Sequence, residues 1–213
     1  MRKCLLVGIV AAGLMCLSSA VAATQLEISE FMAVNQKTVQ DADGDYSPWI
    51  EIYNPTTKDV NLTGWSLTDD TNNLTMRQFP NVTLVDAEDA NASDNYMVVF
   101  ASGKNRTNNT AELHTNFRLG TNNFLALVDP NTNIVAIFNS YPAQQADVSY
   151  GVDSADTNSV GYFSIPTPGD PNGMTGTTAA PAVTFSQGGG TFVTDFALEL
   201  STSGGAAIYY TTD

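Results

Sequence analysis

The chain has 213 residues, with 22 Asp and Glu against 8 Lys and Arg, a formal charge of −14, two cysteines and one histidine. Phosphate contacts need clustered Lys and Arg, so this balance argues against nucleic acid or an anionic membrane as a partner reached through the overall field. A hydrophobic share of 43% with 14% charged residues is too apolar for a chain disordered throughout.

Met1-Arg2-Lys3 is a short positive start, residues 4–17 form an apolar run, and Ser18-Ser19-Ala20-Val21-Ala22-Ala23 supplies small residues for cleavage. Residues 1–23 therefore read as a secretory signal peptide, with the mature chain beginning near Ala23 or Thr24. The apolar run is shorter than the roughly 20 residues a spanning helix needs, and no later segment is apolar enough for membrane insertion. Met15 stands where a lipid-attachment site before Cys16 wants a small residue. Losing Arg2 and Lys3 with the leader takes the charge from −14 to −16. Cys4 and Cys16 go with it, so disulfides, thiolate zinc sites and cysteine nucleophiles are not expected in the exported chain.

From Leu26 onward short apolar segments alternate with clusters of Asn, Asp, Gly, Thr and Pro, and helical periodicity is nowhere sustained. Strands are expected at 26–34, 49–53, 65–68, 74–79, 96–101, 124–128 and 134–138. Seven short strands at this spacing predict an all-β fold, a β-sandwich. In Trp49-Ile50-Glu51-Ile52-Tyr53 the alternation puts Ile50 and Ile52 on the packed face and leaves Glu51 near solvent or a bound cation. The unbroken apolar runs at 96–100, 124–128 and 134–138 predict central strands covered on both sides. Residues 146–171 lose this density, and the Pro and Gly of Ile165-Pro166-Thr167-Pro168-Gly169-Asp170-Pro171-Asn172-Gly173 mark a domain end. Residues 174–181 read as a linker. Further strands at 183–185, 196–200 and 207–210 open a second unit over 182–213, too small to stand alone and so the incomplete part of something longer.

Leu26-Glu27-Ile28-Ser29-Glu30-Phe31-Met32-Ala33, Asp41-Ala42-Asp43-Gly44-Asp45, Trp49-Ile50-Glu51-Ile52-Tyr53-Asn54-Pro55 and Leu62-Thr63-Gly64-Trp65-Ser66-Leu67-Thr68-Asp69 resemble successive motifs of the bacterial lamin tail domain. The resemblance continues in order through Phe79-Pro80, Val98-Val99-Phe100-Ala101-Ser102-Gly103, the stretch from Leu113 to Leu119, Ser149-Tyr150-Gly151 and Pro166-Thr167-Pro168-Gly169. It covers about 25–172, within a domain expected over 24–173. It implies an immunoglobulin-like sandwich serving as a non-catalytic interaction module in a secreted or cell-surface protein. The sequence departs from the family at Val152-Asp153, where a basic residue is common, and near Arg77 or Gln78, where a tryptophan is common. Residues 182–213 resemble the start of the chitobiase/β-hexosaminidase C-terminal type of immunoglobulin-like domain, through Val183-Thr184-Phe185-Ser186, Gly188-Gly189-Gly190-Thr191-Phe192 and Ile208-Tyr209-Tyr210-Thr211-Thr212-Asp213.

Asp41, Asp43 and Asp45 fall within five residues, with Gly44 permitting a sharp turn and Glu51 six residues beyond. Alternating oxygens of this kind suit a hard cation, so these four are the candidate Ca²⁺ ligands, although the spacing is not that of an EF-hand. The same residues also suit a solvated acidic turn. His114, the single histidine, must serve any Ser-His-acid arrangement, and without a Gly-x-Ser-x-Gly elbow it reads as a half-exposed residue at a strand edge. Among Glu27, Glu30, Glu51, Glu112 and Glu199 no spacing selects a catalytic pair. Trp49 and Trp65 read as core, and Tyr53 and Tyr96 could join them as a stacking platform for a glycan. The expected function is non-catalytic interaction or adhesion at the cell surface, with an unidentified protein or glycan as partner. The alternatives are the accessory region of an exported enzyme, polysaccharide-acting or kinase-like, and a carbohydrate-binding protein.

Overall fold

The computed structural model describes residues 25–88, 95–120, 124–173, 183–202 and 207–211. The expected leader, its two cysteines and the expected linker lie outside them. The described residues contain strands and no helix, so none is long and apolar enough to cross a membrane. In chain order the strands are β1 (Glu27–Met32), β2 (Trp49–Tyr53), β3 (Val60–Asn61), β4 (Ser66–Thr68), β5 (Arg77–Gln78), β6 (Thr83–Leu84), β7 (Tyr96–Phe100), β8 (Leu113–His114), β9 (Leu125–Val128), β10 (Ile134–Phe138), β11 (Ser149–Val152), β12 (Val160–Phe163), β13 (Thr184–Phe185) and β14 (Leu200–Ser201).

One sheet has the order β12-β11-β1-β2-β7-β8 and faces a second of order β10-β9-β4-β5, which makes the immunoglobulin-like β-sandwich that was expected. All pairs in the two sheets are antiparallel except β7 with β8. Ile28, Phe31, Ile50, Ile52 and Val99 from the first sheet pack against Leu67, Leu125 and Leu127 from the second. Phe31 lies at the centre, its ring meeting Phe138 at 5.0 Å and Tyr141 at 4.8 Å, both edge-on.

Ile28 and Phe31 both face the core although strict alternation cannot put residues three apart on one side. The pairing of β1 with β2 shifts register between Ile28 and Glu30, and this bulge absorbs the extra residue. It displaces the Ser29 carbonyl toward β11, where Gly151 stands opposite Glu30. A Cβ on residue 151 would come 2.1 Å from the Ser29 oxygen and 2.8 Å from the Glu30 Cα, so only glycine fits.

Several expectations need correction. Strands β11 and β12 lie in the stretch read as structurally poor. Their buried positions are Ser149, Gly151, Gly161 and Phe163, small or polar except the last, and at Gly151 the bulged neighbour leaves no room for a side chain. The run 134–138 is an edge strand, with Ile134 and Ile137 exposed, whereas β9 is buried throughout. The expected strand at 207–210 does not form, and of 74–79 only Arg77 and Gln78 pair.

Replacing Gly151 by Ala is expected to cost about 3 kcal/mol or more, because backbone rather than a flexible side chain must give way. Gly173→Ala, at a position with open space around the Cβ, is expected to leave the denaturation midpoint unchanged. Chemical denaturation of the two variants side by side checks both.

Candidate functional site

The outer face of the six-stranded sheet carries the unusual chemistry. Glu30 and Glu51 are cross-strand partners on β1 and β2, and both are completely buried. Glu51 is thus not near solvent: a third layer, the segment after β12, closes over it. Gly169 donates its N–H to Glu51 Oε2 at 2.5 Å, and Ser29 Oγ donates to Glu51 Oε1 at 2.7 Å. Thr167 donates N–H and hydroxyl to Glu30 Oε2, each at 3.1 Å, and the Ser149 hydroxyl donates to Glu30 Oε1. Asn172 Nδ2 adds bonds to the carbonyls of Ser29 and Val152, each at 2.8 Å. The segment read as a domain end is therefore a strap whose donors are spent on two buried acids.

Among the described residues all four carboxylate oxygens hold a donor and no basic side chain joins them, so the pair is a hydrogen-bonded clasp whose oxygens are already engaged. Burial pushes the Glu51 pKa up to about 8, opposed by the Ser29 and Gly169 bonds and reinforced by the Glu30 and Asp170 charges. Burial likewise raises Glu30. A neutral Glu51 can donate from Oε1 to Ser29 Oγ, whose hydroxyl then turns to the Glu51 carbonyl 3.4 Å away. The pair also lacks room for a glycosidic substrate and its water, being sealed beneath the strap.

The acidic turn forms a second cluster. One carboxylate oxygen each from Asp41, Asp43 and Asp45 lies within 4.8 Å of the others, and Glu51, bound to the strap, is not among them. Gly44 turns the chain with φ at +82°. Lys104 Nζ sits among the three at 2.5, 2.7 and 2.9 Å, and Arg106 pairs with Asp43 as well. Asp41 is buried, which raises its pKa, but the Lys104 ammonium, the Asp45 amide and the Ser47 hydroxyl outweigh this and hold it low. Asp43 is lowered to about 2, by Arg106 first and then Lys104.

His114, on β8, is fully buried and stacked on Phe100 at 5.3 Å, not half-exposed as expected. Its Nε2 meets Glu112 Oε1 at 2.9 Å and its Nδ1 meets Ser102 Oγ at 2.8 Å. The tautomer with hydrogen on Nε2 satisfies both contacts. This is a Ser-His-Glu series, but the nitrogens are reversed from a hydrolytic triad, in which Nε2 faces the serine. Ser102 Oγ also accepts the Lys104 amide at 3.2 Å, and Glu112 accepts the Ala42 amide at 2.8 Å. The series fastens the loop after β7 to the acidic turn.

The model of the family described as Lamin Tail Domain matches residues 19–151. The chain belongs to the lamin tail domain family. No curated protein matches it at a significant level. The match to the lamin tail domain includes β1, β2 and the acidic turn, while the strap with Thr167, Gly169 and Asn172 lies beyond its end.

Trp49 is wholly buried between Met32 and Phe100, and Trp65 packs partly buried against the main core of the lamin tail domain. Tyr53 and Tyr96 are different: half-buried on the outer face, they stack on each other at 4.4 Å and 11°. They line a groove of about 480 Å³ with Glu27, Pro55, Pro171 and Asn172. Spacing alone hid this site, because its far wall is the strap.

Two measurements test these clusters in the lamin tail domain. Glu51 is raised when folded, so its contribution is complete below the ordinary carboxylate pKa and lost as pH climbs toward about 8. Thermal melts between pH 5 and 8.5 are expected to show a falling Tm in the wild type and a flatter profile in Glu51→Gln. In the acidic turn any calcium must exchange with Lys104. Melts with calcium and with a chelator are expected to coincide for the wild type, while Lys104→Met melts lower in chelator and recovers with calcium.

Proposed function

We propose that this chain is an exported, non-catalytic interaction and adhesion module acting at the cell surface, within a larger exported protein. The observation that carries the reading is membership of the lamin tail domain family, a family of non-catalytic immunoglobulin-like domains. The sequence before Thr24, with its basic start, apolar run and small residues, supports export. The charge of −14 supports a protein or glycan partner over nucleic acid.

A specific observation favours a second reading, in which the lamin tail domain is the accessory region of an exported enzyme. Beyond residue 182 the β13–β14 pair stands with Phe185, Val193, Phe196 and Tyr209 exposed, apolar surface of the kind that further chain or a partner covers. This supports reading 182–213 as strands that pack on further chain or a partner; the chitobiase/β-hexosaminidase C-terminal-type resemblance of this stretch and a catalytic unit adjoining it belong to the same proposal. Calcium in the acidic turn, on Asp41, Asp43 and Asp45, belongs to the same proposal as a stabilising ion that displaces Lys104.

Expression of the full chain in a bacterial host, followed by fractionation and N-terminal sequencing, tests export. The expected product lies outside the cytoplasm and begins near Ala23 or Thr24; a cytoplasmic product that keeps Met1 overturns it. The folded protein is further expected to sediment saturably with isolated cell envelopes, and failure to do so overturns the adhesion reading.

A further inference from the structure

Glu27 occupies a position that the family assignment does not explain. It opens β1 on the outer face, half-buried, and burial raises its pKa. Among the described residues its carboxylate has no hydrogen bond and no ion pair, whereas Glu30 and Glu51 beside it are saturated with donors. A partly desolvated carboxylate without a donor is costly, and a ligand that brings a cation relieves that cost.

Two grooves meet at this residue. The first is the groove of about 480 Å³ walled by the stacked Tyr53 and Tyr96 on one side and by Pro171 and Asn172 of the strap on the other. The second, of about 410 Å³, runs toward the exposed Ile137 and Val160 at the open edge of the sandwich. Glu27, Val152 and Thr157 line both, so the two grooves adjoin along these residues and together make a channel with an acidic, aromatic half and a more apolar half. The Glu27 charge also reaches the Tyr96 hydroxyl, whose pKa is raised by burial first and then by Tyr53, Glu51 and Glu27.

We propose that this channel binds an extended basic peptide segment, one lysine or arginine meeting Glu27 beside Tyr53 and Tyr96 while neighbouring aliphatic side chains lie over Val152, Ile137 and Val160. A cation on an apolar stem fits both halves: the head supplies the donors that Glu27 lacks and the tyrosine rings favour positive charge. An amino sugar would match only the acidic half and leave Ile137 and Val160 uncovered. The ligand surface is built in advance, since the strap wall is held by Asn172 on the Ser29 and Val152 carbonyls. Preorganisation of this kind lowers the ordering cost on binding.

The inference rests on the interaction-module reading and names the partner chemistry of the lamin tail domain. A fluorescent, acetylated and amidated peptide of alternating Lys and Val is titrated into the full chain, with Glu27→Gln and, as a control of equal charge change at a residue that lines neither groove, Glu88→Gln. The expected result is saturable binding, weakened tenfold or more by Glu27→Gln and unchanged by Glu88→Gln, with both variants melting like the wild type. Equal weakening by both variants means attraction by net charge alone and overturns the proposal, as does the absence of binding. Displacement of the peptide by glucosamine oligomers at comparable concentration overturns it in favour of a glycan ligand. If Glu27→Gln still sediments fully with cell envelopes while peptide binding is absent, the channel assignment fails and the adhesion reading stands.

Discussion

The architecture turns on the burial of Glu30 and Glu51 side by side with no basic side chain among the described residues to neutralise them. Two carboxylates removed from water and set against each other cost several kcal/mol each unless every oxygen finds a donor or a proton. The chain meets that demand with Ser29 and Ser149 from within the sheet and with Thr167 and Gly169 from outside it. The strap is therefore obligatory for a dry site: it excludes water from the pair and supplies in its place the donors that the sheet lacks. The β1 bulge is obligatory for the same reason, since it turns Ser29 and Glu30 together toward the clasp while Ile28 and Phe31 stay in the core. Gly151 follows from the bulge, because the displaced Ser29 carbonyl occupies the space of a Cβ.

A second, independent set of ties holds the opposite edge of the same sheet. Asp41, Asp43 and Asp45 draw in Lys104 and Arg106, Glu112 caps the Ala42 amide, and the series from Glu112 through His114 to Ser102 returns to the Lys104 backbone. Arg77 adds a bond from Nε to the His114 carbonyl at 2.8 Å, carrying the network to the second sheet. The two clusters solve different problems. The acidic turn is a partly exposed cluster paired with fixed cations, which hold Asp41 and Asp43 in the charged form; the clasp is dry, and burial raises the pKa of both Glu30 and Glu51.

Strands with consecutive bulky residues were legible from the sequence: β1, β2, β4, β7, β9 and β10 fall within the segments expected for them. What escaped was structure whose signal is small residues or distant partners. Gly151 is buried against the bulge and Ser149 on the Glu30 carboxylate, and neither carries hydrophobicity to announce a strand. Alternation in 49–53 correctly puts Ile50 and Ile52 in the core, yet it is blind to a third layer, so it leaves Glu51 near solvent or a bound cation where the strap covers it. The three aspartates were legible as a cluster because they are close in sequence. Lys104, more than fifty residues on, carries no pattern that marks it as their counter-ion, and His114 acquires its partners only through folding.

The clasp and the channel share a physical logic. Glu27, Ser29, Glu30 and Glu51 belong to the same outer face of adjacent strands, and the strap that satisfies the inner acids stops short of the outermost one. Pro171 and Asn172 then become a wall and Glu27 an open acceptor at its foot. The desolvation that forces Glu30 and Glu51 to recruit the strap is thus also what leaves Glu27 half-dry at its margin. A fold that buries acids without bases needs hydrogen-bond donors at every step outward, and where the chain's own donors end, the last carboxylate is placed to accept one from a partner.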